Sequence, residues 1–293
     1  MTTLLYSNTT KTIGFQLFEY WTFTSQPQPV ASSSGGYRSS SSSFGGGGGF
    51  SGGGFGCFGG GSLGGGGDGG GASSPSLSTQ SIAGIWEGTL TSTVVHQQYS
   101  VIGIISESGT ARFVNATWGA QYSATVSTNG NSFSANTTAY APFGGRFPNG
   151  STVGAVTLAG TFTTKGSIVG TYSGVGDSGS YSLRYNSLYE MPSSLPTIAG
   201  TWSAQIYTDT ETLTIDLNGD ITGSSTTGCT FAGHVSIIDS AYNAYEITIV
   251  IDHCGQENGT YSGLATITDP AKNTAVVSVS SAAYSYVRLM TKH

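Results

Sequence analysis

One short motif constrains this chain more than any other. Ile82-Ala-Gly-Ile-Trp86 returns as Ile198-Ala-Gly-Thr-Trp202, and each copy is closed by a matching stretch. Ser180-Tyr-Ser-Leu-Arg184 ends the first, and Ser285-Tyr-Val-Arg288 ends the second. Trp86 and Arg184 lie 98 positions apart, Trp202 and Arg288 lie 86 apart. A period near one hundred is too long for a solenoid repeat and reads as a duplicated domain.

Within each copy the texture is that of short strands. Leu213, Ile215 and Leu217 alternate with polar residues, as do Tyr245, Ile247, Ile249 and Ile251, and a period of two places each set on one sheet face. Asn-Gly pairs at Asn129, Asn149, Asn218 and Asn258 suit tight hairpins, which need positive φ. No helical period stands out from 82 onward. The expected fold class is all-β, two consecutive antiparallel meander β-barrels of about eight strands each, with a sandwich as the other all-β option. The expected domains are 82–191 and 198–293, with Pro192 and Pro196 at the joint. Residues 1–81 are expected to be a disordered leader. Its stretch 32–74 is mostly Ser and Gly, which buries little against a large backbone entropy.

Charge narrows the partners. Residues 82–197 balance four acids against four bases, and 198–293 carry nine acids against Lys272, Arg288 and Lys292, which accounts for the net −6. No basic patch is present to neutralise phosphates, so nucleic acid is not an expected partner. Charged residues make up 8% of the chain, far below the usual quarter. Ser, Thr, Asn and Gly must keep it soluble, a composition that points to the extracellular space or cell envelope. Five Asn-x-Ser/Thr sites, Asn115 and Asn258 among them, matter only in a glycosylating host.

A Gly-x-Trp on the first strand, a meander of about eight strands and an Arg on the last resemble the calycin superfamily, the lipocalins, avidins and their relatives. Gly84, Trp86 and Arg184 in the first copy carry the resemblance, as do Gly200, Trp202 and Arg288 in the second. It implies that each Trp closes one end of a barrel and each Arg packs over its indole. Gly200-Thr-Trp202 with Gly219-Asp-Ile-Thr-Gly223 is closest in flavour to avidin-like chains. A cysteine followed by a glycine tract and β domains is also similar to bacterial surface lipoproteins. That likeness implies lipidation at Cys57, although no aliphatic residue stands three before it.

Candidate chemistry is sparse. Cys229 and Cys254 lie on candidate neighbouring strands and are expected to form a disulfide in an oxidising compartment. Metal binding is the rival reading, since His253 adjoins Cys254, but neighbours on a strand point to opposite faces and no Cys-x-x-Cys exists. No metal and no cofactor are expected. Gly176-Asp-Ser178-Gly179 looks like a serine-protease nucleophile motif, yet no Asp occurs between His96 and Gly176 to orient a base. Asp216 to Asp220 has a calcium-loop flavour but lacks the closing Glu, position 227 being Thr. Trp118, Tyr122 and Tyr140 are candidates to face a ligand, with core packing as the other reading. The chain is therefore expected to be a non-enzymatic binding protein on the surface or outside the cytoplasm. It would take a small apolar ligand or a surface partner, and would meet a membrane only through a lipid anchor. A structural or adhesive protein that assembles through its β domains is the alternative, and a secreted hydrolase is the third.

Overall fold

The structure, a computed structural model, describes residues 80–206 and 208–293. Apart from its last two residues, the leader expected over 1–81 lies outside the described residues, and so does the lipidation expected at Cys57. Eight strands form the first barrel: β1 Gly84–Ser92, β2 Gln98–Ile105, β3 Thr110–Asn115, β4 Gln121–Asn129, β5 Ser132–Tyr140, β6 Val153–Phe162, β7 Ser167–Gly174 and β8 Asp177–Asn186. Eight more form the second: β9 Gly200–Ile206, β10 Asp209–Ile215, β11 Asp220–Ser225, β12 Thr230–Ile237, β13 Tyr245–Asp252, β14 Gly259–Ile267, β15 Thr274–Ser280 and β16 Ser285–Lys292. Both are closed, antiparallel, up-and-down barrels. Between them run a 3-10 turn, Ser187–Glu190, and a single helical turn, Leu195–Ile198.

Closure differs between the two. β1 and β8 are in register over eight pairs, from Ile85↔Asn186 to Ser92↔Gly179. β16 meets β9 at two, Thr291↔Ser203 and Lys292↔Trp202.

Alternation explains both cores. Trp86, Leu90, Ile105, Phe133, Phe162, Ile168 and Leu183 point into the first barrel, and Trp202, Leu213, Ile221, Val235, Ile247, Ile249 and Met290 into the second. Tyr245, Ile247, Ile249 and Ile251 are all buried along one face of β13. Leu217 departs from its expected face: β10 ends at Ile215, and Leu217 stands exposed in the turn. In that turn Asp216 Oδ1 accepts the backbone N–H groups of Asn218 and Asp220. Gly219 sits there at φ +92°, and a Cβ would come within 2.2 Å of the Val235 carbonyl, so both conformation and space demand glycine.

The barrels meet through their outer walls. Ile85, Ile104 and Val114 of the first pack with Leu264 and Val276 of the second, and with Tyr189 from the connection. Arg112 is buried in this wall. Its guanidinium donates to Ala111 O (3.0 Å) and Ser123 Oγ (2.6 Å) on its own side and to Ser262 O (2.8 Å) across the junction. Tyr189 stacks on Tyr242 of the second barrel, centroids 5.1 Å apart. Asn243 ties the connection down by donating to Leu188 O and Ile267 O.

Candidate functional site

The tryptophan ends of the barrels are sealed, and by a different device from the expected one. Trp86 and Tyr185 are register partners that both face inward, and their rings meet edge-on at 5.4 Å. Arg184, one residue earlier on β8, therefore points outward and is exposed. The expected Trp86–Arg184 contact is not made, because the alternation of the strand puts Tyr185 there. In the second barrel the cation over the Trp202 ring is Lys292, its Nζ 5.4 Å from the centroid and donating to Thr197 O. Arg288 faces inward too, but nearer the other end. It makes a two-pronged ion pair with Glu211 (2.7 and 2.9 Å) and lies 5.1 Å over the Tyr286 ring. Each indole N–H instead donates to the carbonyl four residues before it: Trp86 to Ile82 (3.0 Å), Trp202 to Ile198 (2.7 Å). The side chains of those isoleucines, which open the repeated motif, are buried in their barrels' cores.

At the opposite end of the first barrel the interior turns polar. Ser92, Tyr99, Asn115, Tyr122, Thr137, Tyr172 and Asp177 all sit at inward register positions near one end, one from every strand except β6. The Asp177 carboxylate accepts from Ser92 Oγ (2.6 Å), Tyr172 Oη (2.8 Å) and the Ser178 N–H (2.8 Å). Desolvation, then the bond to Asp177, pushes the Tyr172 hydroxyl far above its ordinary pKa. Desolvation pushes Tyr122 up to about 12 against a hydrogen bond to Asn115. Both phenols stay neutral donors at any physiological pH. Thr137 Oγ1 is buried and has no hydrogen-bond partner. The loop 141–152 closes this end, Phe147 meeting Trp118 edge-on at 5.3 Å.

Trp118 and Tyr122, singled out in the sequence, are thus brought to one place. Tyr140 is not: it faces outward, buried at the junction, where its hydroxyl donates to Ser281 O (2.7 Å) of the second barrel. A one-residue step in register separates its face from that of Ala139. The remaining ring members were missed because isolated Ser, Asn, Thr and Asp residues at strand ends look like turn residues. Only the alternation phase of all eight strands together reveals that they converge.

The corresponding end of the second barrel is more apolar. A cavity of about 40 Å³ lies there beneath Phe231, Ile251 and Val279, beside the Glu211–Arg288 pair. Cys229 and Cys254 form the expected disulfide, Cα atoms 4.9 Å apart, and fasten two loops of this end. Among the described residues no cluster of three His, Cys, Asp or Glu side chains could hold a metal. Ser178 Oγ, at the start of β8, lies 3.1 Å from Thr93 Oγ1, just past the end of β1.

Comparison with known proteins returned no matching family model, no similar curated protein and no similar solved structure.

Proposed function

We propose that this chain is a non-enzymatic binding protein of the cell envelope or extracellular space, with the capped polar end of its first barrel as the ligand site. One observation carries the reading: a buried, unpartnered Thr137 hydroxyl stands inside a ring of inward polar side chains. An unpaired buried hydroxyl costs about 1–3 kcal/mol, and a bound molecule with a polar atom at that point would recover it. The Tyr122 phenol donates, the Thr137 hydroxyl donates or accepts, and Trp118 and Phe147 supply flat apolar walls. The ligand class is accordingly a small, neutral, ring-shaped compound with both donors and acceptors. It differs from the small apolar ligand expected of a barrel mouth. The disulfide is compatible with an oxidising compartment. The calycin-like relationship belongs to this proposal too, supported by barrel topology and the Trp at each sealed end. Edge-to-edge assembly, the structural alternative, is weakened for the first barrel, whose eight-pair seam leaves no free sheet edge.

The test is a ligand-observed NMR screen of neutral monosaccharides and lactams against the full chain, Thr137→Val and Asp177→Asn. Binders of the full chain that lose at least about tenfold in affinity with each variant, while both variants keep their circular dichroism, would support the site. Absence of any binder, or equal binding by the variants, would sink it.

A further inference from the structure

Four loops crown the capped end of the first barrel: 93–97, 116–120, 141–152 and 175–176. They contain no Asp or Glu in a chain whose net charge is −6. The nearest carboxylate, Asp177, faces inward and is engaged by Ser92, Tyr172 and its neighbour's N–H. Arg146 is exposed and, with His neutral, is the one charged residue these loops carry.

The same crown holds half of the large exposed apolar side chains found among the described residues. Phe143 is 99% exposed, Val94 51% and Val95 40%. Pro142 and Gly144 flank Phe143, and the space beside Gly144 is open. A phenylalanine held wholly in water stabilises nothing in the fold and forgoes its burial energy. The loops that bear these residues join β1 to β2 and β5 to β6, which are diametrically opposed in an eight-stranded ring. The exposed apolar groups therefore stand on opposite sides of the rim rather than in one cleft.

We infer that this crown docks on an anionic lipid surface, Phe143 and the Val94–Val95 pair entering the headgroup boundary while Arg146 meets lipid phosphate or carboxylate. Apolar groups spread around a rim suit a bilayer face. Phenylalanine is among the apolar residues that bury into the headgroup boundary, and loops that carry an arginine and no carboxylate are complementary to negative headgroups. The contact is weak and reversible, of the kind that one more anchor would make lasting. It does not rest on the ligand reading, since Phe143 lies outside the polar ring.

Co-sedimentation of the full chain with phosphatidylcholine vesicles, with and without phosphatidylserine, tests it. Binding is expected to rise with phosphatidylserine and fall with salt. Phe143→Ser should cut partitioning about tenfold, the equivalent of burying most of one such side chain, and Arg146→Gln should remove most of the preference for phosphatidylserine. Phe143→Ser should keep its affinity for any compound bound in the ring, so the two readings fail separately. Failure of the full chain to sediment, or equal sedimentation by Phe143→Ser, overturns the proposal. So does vesicle-independent self-association that Phe143→Ser abolishes, which would place a second copy on this face.

Discussion

Trp86 and Trp202 are each fixed at both ends of the ring system: an indole N–H bonded to a buried isoleucine carbonyl, and a ring met by Tyr185 in one barrel and Lys292 in the other. Trp86→Phe leaves the Ile82 carbonyl unpaired and opens a void, for a cost of about 2–4 kcal/mol. Arg184→Ala removes an exposed group and should stay within about 0.5 kcal/mol. Urea unfolding of both variants checks the pair, and a large loss in the arginine variant would restore the closure implied by the family resemblance. The tryptophans were legible from the repeat alone. Their partners were not, because Tyr185 and Arg184 are adjacent, and only the register of β8 against β1 decides which of them faces the core. Glu107 gives a pH signature at the same scale. It accepts the Tyr189 hydroxyl, and desolvation outweighs that bond and raises its pKa, with Asp239 adding repulsion. A raised carboxyl pKa in the fold means stability gained as pH falls through the folded value and forgone above it. Glu107→Gln should therefore stabilise at neutral pH, by about 0.5 kcal/mol once its partial exposure is discounted. It should make no difference near pH 3, roughly a unit below the unfolded carboxylate value. Thermal melts at the two pH values decide it.

Strand phase was the most legible feature of the elements. β13 was readable in full, since four large apolar residues mark its buried face. β10 was misread at its end, because a leucine in phase with the strand fell into an Asx-type turn that Asp216 imposes. The polar ring stayed hidden for the same reason: it is a property of eight phases at once. The cysteine pair, by contrast, is local to neighbouring strands and was readable. It links the start of β12 to the end of β13 across 25 residues, and the chain-entropy treatment assigns such a loop about 3 kcal/mol. Removing it with Cys229→Ser and Cys254→Ser should lower the common melting transition of the two coupled barrels. Calorimetry of the native and variant proteins would detect the shift. An unshifted transition would mean that the loops are already held by their hydrogen bonds.

Among the described residues two barrels pack wall to wall, and nothing in the sequence announced that contact. Outward residues such as Ile85, Ile104, Leu264 and Val276 break the apolar-in, polar-out rule for a lone barrel. Once the phase of each strand is known, they become the signal for a shared wall. Leu264→Glu places a charge in that wall and is expected to cost about 3 kcal/mol or more. It should also split one melting transition into two as the barrels uncouple. A single, uniformly shifted transition would show that they are coupled by the connection rather than by the wall.

The unequal seams have a kinetic consequence. In each barrel every neighbouring pair but one is a local hairpin, so the last strand returning to the first is the step that must gather the longest loop. The first barrel secures that step with a zipper of eight pairs and the second with two. Opening fluctuations should concentrate where the zipper is short. Amide protons of β9 and β16 would then exchange with solvent well before those of β1 and β8. The interior beside Glu211 and Arg288 would breathe while the ring around Thr137 stays shut.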